Sequence, residues 1–202
     1  MLIAKADLNN ALEIFRRAST KSEPVIFSTD TIYGIGAPLA DIAANEKIFA
    51  VKGRDRSKPF PVLIASYSQL SEIAVTDETQ RRIMDKLWPG PVTLVLKAKE
   101  GLNRLFTMNG TIAVRMPDKP WLRELAAVLG PLSATSANPA GKEYKGNEKY
   151  IMDIFSEYVN YFIFGKNTGE ISSDIIDLSG EKPIIIRGSG DRLTDAIKNA
   201  NN

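Results

Sequence analysis

The chain has no cysteine and no histidine among its 202 residues. Without thiols there is no disulfide, no iron–sulfur cluster, no thiolate zinc site and no cysteine nucleophile. Without imidazole there is no Ser-His-Asp triad and no histidine-ligated metal. A metal acting here would be a hard, oxygen-liganded ion such as Mg²⁺, carried on a phosphate substrate. Long apolar runs are missing too. No segment approaches the roughly 18 residues of a membrane span, and Met1–Asn10 has no leader-like apolar core. The cytoplasm is the expected compartment, with no membrane association. Nor is there an excess of one charge: 26 Lys and Arg against 24 Asp and Glu leave a net +2. Affinity for a polyanion must therefore come from local clustering.

What is present begins with a 44% hydrophobic composition, enough for one well-buried core. Asp7 and Asp41 are placed to cap helices ending near Ala18 and Lys52. Thr76 and Asp77 precede a helix that Trp88-Pro89-Gly90-Pro91 stops. Asp118 opens one reaching about Leu129, with Pro120 in its first turn, and Asn147 one reaching Tyr158. Apolar strands are expected at Pro24–Phe27, Pro61–Ala65, Val92–Leu96, Thr111–Met116, Leu132–Thr135, Tyr161–Phe164, Ile175–Leu178 and Pro183–Arg187. Helices and strands interleave with short connections, which predicts one α/β domain over residues 1–202 around a mixed, twisted open sheet with flanking helices. Residues 191–202 read as a C-terminal tail, polar over Asn199 to Asn202.

Two segments concentrate chemistry. Lys52-Gly53-Arg54-Asp55-Arg56-Ser57-Lys58-Pro59 carries four cations of one parity, which repel unless an anion sits among them. The same run also reads as a solvated basic loop. Ser133-Ala134-Thr135-Ser136-Ala137-Asn138 is small and hydroxyl-rich, suited to close backbone approach by a ligand or to satisfying its own backbone. A polar turn, Ser28 to Gly36, follows an apolar strand, a common place for a binding loop. No G-x-G-x-x-G and no P-loop occurs, so a nucleotide would need another cradle. Arg115 and Arg187 each end an apolar strand and require an anion, either a salt-bridge partner or a ligand. Tyr33 could stack on a base or serve packing.

Six of these segments, in order, resemble the YrdC-type threonylcarbamoyl-AMP synthases over about residues 5–190. Ser28-Thr29-Asp30-Thr31-Ile32-Tyr33-Gly34-Ile35-Gly36 is similar to the family's P-T-[ED]-T-[VI]-Y-G-L-G, and Lys52-Gly53-Arg54 with Lys58-Pro59 to its K-G-R-x-x-x-x-P. Leu87-Trp88-Pro89-Gly90-Pro91-Val92-Thr93, Ala113-Val114-Arg115-Met116-Pro117, Ser136-Ala137-Asn138 with Gly141, and Ile184 to Gly188 resemble its remaining motifs. The resemblance implies a single YrdC-like domain with a basic concave surface. It also implies a reaction in which L-threonine, bicarbonate and ATP give threonylcarbamoyl-AMP and pyrophosphate. The product would pass to a tRNA-modifying transferase partner, and tRNA itself could dock beside the pocket.

Carried over by position, Thr31, Arg115, Ser173 and the backbone at Ala134 would hold threonine. Lys52, Arg54, Lys58, Thr111, Ser136, Asn138 and Arg187 would surround ATP with its Mg²⁺, and Lys52 and Arg54 would serve the chemistry. Tyr144 joins the ATP set where the family often has serine. Leu63 stands where many members have histidine, Ser172-Ser173-Asp174 replaces E-S-T, and Asp55 replaces a proline. The chain is expected to be the short form, without the extra C-terminal domain of longer relatives. A carbamate oxygen is already anionic, so adenylation needs no histidine base. Positioning and charge neutralisation suffice. An alternative is an RNA-binding protein of the same fold without synthase activity, its cations contacting phosphates along a dispersed stripe. A third is a carbamoyl-transfer domain like those within hydrogenase-maturation proteins, against which the lack of cysteine-rich segments argues.

Overall fold

Helix-start residues and apolar spacing account for most of the local structure. A computed structural model describes residues 1–53, 55, 59–166 and 171–200. Its first half runs β1 (Leu2–Lys5), α1 (Leu8–Ser19), β2 (Val25–Phe27), β3 (Gly34–Gly36), α2 (Ile42–Lys52), β4 (Val62–Leu63), α3 (Tyr67–Ile73), β5 (Ala74–Val75), α4 (Glu78–Leu87) and β6 (Val92–Ala98). The second half runs β7 (Thr107–Met108), β8 (Thr111–Arg115), α5 (Pro120–Leu129), β9 (Leu132–Ser133), β10 (Thr135–Ser136), α6 (Glu148–Phe155), β11 (Tyr161–Phe164), β12 (Asp174–Asp177), β13 (Ile184–Arg187) and α7 (Asp191–Ala200). Asp7, Asp41, Asp77 and Asn147 all accept a backbone N–H from the first turn of the helix they precede. Such caps are worth about 1 kcal/mol each. The α2 helix ends at Gly53, whose φ of 61° lies in the left-handed region that favours glycine.

The strands form two mixed sheets rather than one. A five-stranded sheet has the order β1-β11-β2-β3-β10, and a larger one the path β13-β12-β6-β8-β4-β9. The expected strand Leu132–Thr135 is where they join. Ser133 pairs with Val62 in the larger sheet, and Thr135 pairs with Ile35 in the smaller. Ala134 is the corner between them. Gly36 makes the junction feasible, because a Cβ there would stand 1.8 Å from the Ser133 carbonyl oxygen. Ile26, Ile35 and Phe162 of the smaller sheet share one buried cluster with Val62, Leu94 and Val114 of the larger, so both sheets enclose a common core. A second cluster packs Ala11 and Phe15 of α1 and Leu125 of α5 against Phe27 and Ile163. The β11 strand, parallel to both its neighbours, is buried at every position, as a strand covered on both faces should be.

The C-terminal tail expected from residue 191 onward carries a helix, Asp191–Ala200. Leu193 and Ala196 are buried, Ile197 is partly buried, and the helix packs on α4. Their i, i+3, i+4 spacing is a short apolar stripe that the surrounding Asp, Asn and Lys obscure. Among the described residues no helix is long and apolar enough to cross a membrane.

Candidate functional site

The two sheets leave between them a cavity of about 170 Å³, lined by residues of both. From the smaller sheet come Gly34, Thr135 and Ser136, with Thr29, Thr31, Ile32 and Tyr33 from the turn before β3. From the larger come Leu63, Thr93, Arg115, Ile175 and Arg187, with Ser172 and Ser173 just before β12. Ala134, the corner residue, lies on its wall.

Arg115 ends β8 beside Leu63 of β4 and is buried. Of the two readings of this cation, the structure shows the salt bridge: Arg115 has an internal counterion, and it also lines the cavity. Its Nη2 lies 2.6 Å from Asp30 Oδ1, Nη1 donates to Thr31 Oγ1 at 2.9 Å, and Nε donates to the Gly90 carbonyl at 3.1 Å. Asp30 reaches in the other direction too, its Oδ2 accepting the Asp118 N–H at 2.9 Å. Thr29 Oγ1 donates to the Ile32 carbonyl at 2.7 Å and lies 3.0 Å from Thr31 Oγ1. Since the Thr29 proton is already placed, the Thr31 hydroxyl donates to Thr29 while accepting from Arg115. The turn thus presents its threonines in one fixed orientation.

Facing this group are Arg187 and Ser173. Arg187 is solvent-accessible, yet its guanidinium turns inward, Nε and Nη2 donating to the Ser173 carbonyl at 2.9 and 2.7 Å. Ser173 Oγ lies 2.8 Å from Thr93 Oγ1. Asp174, the nearest acid along the chain, pairs with Arg192 at 2.6 Å, and no ion pair among the described residues engages Arg187. Burial and the positive charge of Arg115 lower the Arg187 guanidinium pKa from its ordinary value, while Asp174 acts the other way. A guanidinium in such a position gains most when an anion arrives.

Lys52 is buried rather than splayed into solvent. Its Nζ donates to the carbonyls of Ser136 and Asn138, and its own carbonyl accepts the Ala140 N–H at 2.8 Å. The end of α2 and the small-residue loop, far apart in sequence, are therefore one structural unit. Asn138 donates through Nδ2 to the Lys142 carbonyl, and its Oδ1 is buried without a hydrogen-bond partner among the described residues. Arg54 and Lys58 lie outside the described residues. Thr111 stands at the far end of β8, four residues before Arg115 and therefore about 13 Å along the strand. There its hydroxyl donates to the Met108 carbonyl, and it is not part of the cavity wall. Ala134 has its N–H committed to the Pro61 carbonyl.

Tyr33 serves packing and anchoring. Its hydroxyl donates to the Gly165 carbonyl at 2.7 Å, and burial, with Glu148 nearby, pushes its pKa up to about 12. Its N–H donates to Tyr144 Oη at 2.8 Å, so Tyr144 holds the turn from behind the cavity wall. Asp30, Thr29 and Thr93 form part of the site, although sequence reasoning gave them no role. Each sits within a recognised motif, and that position was the available signal.

The family model Sua5_yciO_yrdC, described as "Telomere recombination", matches residues 17–189. A Methanocaldococcus jannaschii relative is 34% identical over 87% of this chain and 84% of its own, and its name assigns threonylcarbamoyl-AMP synthase activity provisionally. The Pyrococcus abyssi protein named threonylcarbamoyl-AMP synthase is 35% identical over 86% of this chain, which spans only 52% of that longer relative. The crystal structure of P. abyssi Sua5 complexed with L-threonine superposes with a TM-score of 0.87 at 30% identity, covering 98% of this chain and 61% of that one.

Proposed function

The chain belongs to the Sua5, YciO and YrdC family, and from that premise we propose that it is an L-threonylcarbamoyladenylate synthase. The observation that carries the reading is the cavity itself. A preorganised Thr31–Arg115–Asp30 group faces Arg187, whose guanidinium has no carboxylate partner among the described residues. A relative of the same fold is complexed with L-threonine. In this reading the Arg115 guanidinium takes the amino-acid carboxylate, with Thr31 and Ser173 completing that end of the site. The buried wall at Leu63 and Ile32 accepts the threonine methyl group.

Threonine's amine and bicarbonate give the carbamate with loss of water. A carbamate oxygen then attacks the α-phosphorus of ATP, the α–β bridging P–O bond breaks, and pyrophosphate leaves. The product is a mixed carbamic–phosphoric anhydride, which a tRNA-modifying partner in the same cytoplasmic compartment would consume. In this reading Arg187 and Ser136 face the nucleotide, Lys52, Asn138 and Tyr144 hold the wall behind it, and Arg54 and Lys58 are assigned there from the motif. An ATP reaching Thr111 would have to extend beyond the cavity. The chain's part is to place the two reactants and offset charge at the leaving pyrophosphate. Mg²⁺ bound to the phosphates adds charge neutralisation.

The test is ATP-dependent pyrophosphate release with bicarbonate, with and without L-threonine, beside L-serine. Threonine-dependent release is expected. ATP binding without release on any amino acid would overturn the synthase reading and leave an RNA-binding protein of the same fold as the better account.

A further inference from the structure

Tyr33 is gripped at several points by a single segment remote in sequence. The Ala137 N–H donates to the Tyr33 carbonyl at 2.8 Å, the Tyr33 N–H donates to Tyr144 Oη at 2.8 Å, and the Tyr33 hydroxyl lies 3.3 Å from Glu148 Oε1. The segment 137–148 is the continuation of the small-residue loop that Lys52 holds through the Ser136 and Asn138 carbonyls. On the other side, Tyr33 is two residues from Thr31, whose hydroxyl accepts from Arg115. One chain of contacts therefore runs from the proposed nucleotide side, through Tyr144 and the Tyr33 backbone, to the proposed amino-acid side. Each hydrogen bond in it joins segments more than eighty residues apart.

Resting on the synthase reading, we infer that Tyr144 is a positioning residue that couples the two substrate subsites. Its phenol accepts the Tyr33 N–H and is kept protonated by burial, which raises its pKa. An ordered 137–148 segment fixes the Tyr33 amide, and a fixed Tyr33 amide fixes Thr31 and the guanidinium it receives. Contacts made on either side then stabilise this one arrangement, so the second substrate meets a site that the first has already favoured. Thermodynamic linkage makes the effect reciprocal: threonine raises ATP affinity by the same factor by which ATP raises threonine affinity. Gly146 belongs to the device. A Cβ at Gly146 would stand 2.8 Å from Tyr144 Cε1, so the ring is seated against a position that tolerates no side chain without displacing it.

The experiment is calorimetric titration of the whole chain with the α,β-methylene analogue of ATP plus Mg²⁺, in the absence and presence of saturating L-threonine, and the reverse pair. In the wild type the coupling factor is expected to be on the order of tenfold. Tyr144→Phe keeps the ring and removes only the acceptor, and the factor should fall below about twofold. Gly146→Ala displaces the ring while leaving the hydroxyl, and should lower the factor part of the way. A variant that merely loosens the fold would weaken both affinities and leave their ratio intact. An undiminished factor in Tyr144→Phe therefore overturns the inference, as does a wild type that binds both ligands independently. If the wild type binds neither ligand, the synthase reading itself has failed.

Discussion

Replacing Asp30 with alanine is the sharpest perturbation the site offers. Arg115 is buried and, among the described residues, makes three polar contacts, of which Asp30 at 2.6 Å is the one ion pair; the others are the Thr31 hydroxyl and the Gly90 carbonyl. Removing the carboxylate leaves a buried guanidinium facing two neutral acceptors, a change that costs about 3–5 kcal/mol. The Asp118 N–H loses its acceptor as well, at about 1 kcal/mol, though water can reach that half-exposed amide. With a urea slope of roughly 2–3 kcal/mol/M for a domain of this size, the unfolding midpoint should fall by roughly 1–3 M. Trp88 is buried in the core and Trp121 packs against the second cluster, so intrinsic fluorescence reports the transition. Asp30→Asn should fall between wild type and alanine. Its single amide oxygen can serve Arg115 or the Asp118 N–H, and its NH₂ then confronts the other donor. A double-mutant cycle with Arg115→Ala should return a large favourable coupling. An Asp30→Ala loss below about 1 kcal/mol, or strict additivity in the cycle, would refute the claim that this ion pair holds Arg115 in place.

Other expectations follow from the same contacts. Lys52→Met keeps the aliphatic stem but removes the donations to the Ser136 and Asn138 carbonyls. Urea denaturation should show a loss of about 2–3 kcal/mol, and threonine-dependent pyrophosphate release should fall through a higher KM for ATP. Unchanged values of both would remove Lys52 from the site. Leu193→Ala should cost about 2–4 kcal/mol in the same assay, because the C-terminal helix buries that side chain against α4. A negligible loss would make α7 an ornament on the fold. The Tyr33 phenol, raised from 10.0 to about 12 by burial, favours the protonated, folded state. Its contribution is fully present below about pH 10 and lost as pH rises through about pH 12, since the unfolded chain gives up that proton first. Tyr33→Phe should therefore flatten the alkaline fall in stability, and identical slopes for the two proteins would contradict the assignment.

Local structure was legible wherever one short segment contained its own cause. Asp7, Asp41, Asp77 and Asn147 cap their helices through the first-turn amides, and cap and amide lie within three residues of each other. β11 could be read as doubly covered because all four of its residues are apolar. Thr31, Arg115, Ala134, Ser136, Ser173 and Arg187, each named from a motif, line one cavity. Where pairing decides the outcome, the reading ran out. Nothing within Leu132–Thr135 announces that the strand changes sheets at Ala134, because the cause is the separate pairing of its two halves with Val62 and Ile35. The polar composition of residues 191–200 masked a three-residue apolar stripe that α4 alone makes useful.

The sequence by itself determined which side-chain groups are on hand, and its lack of thiol and imidazole confined them to carboxylates, cations, hydroxyls and amides. It also determined where helices begin, because capping is a contact between near neighbours. Tertiary structure alone decided what each charge faces. Arg115 meets Asp30, Lys52 meets two carbonyls across more than eighty residues, and Arg187 is left toward the cavity. Those outcomes depend on which strands pair and in what register, and a long-range pairing is fixed by the burial of the whole core rather than by any stretch of chain that takes part in it.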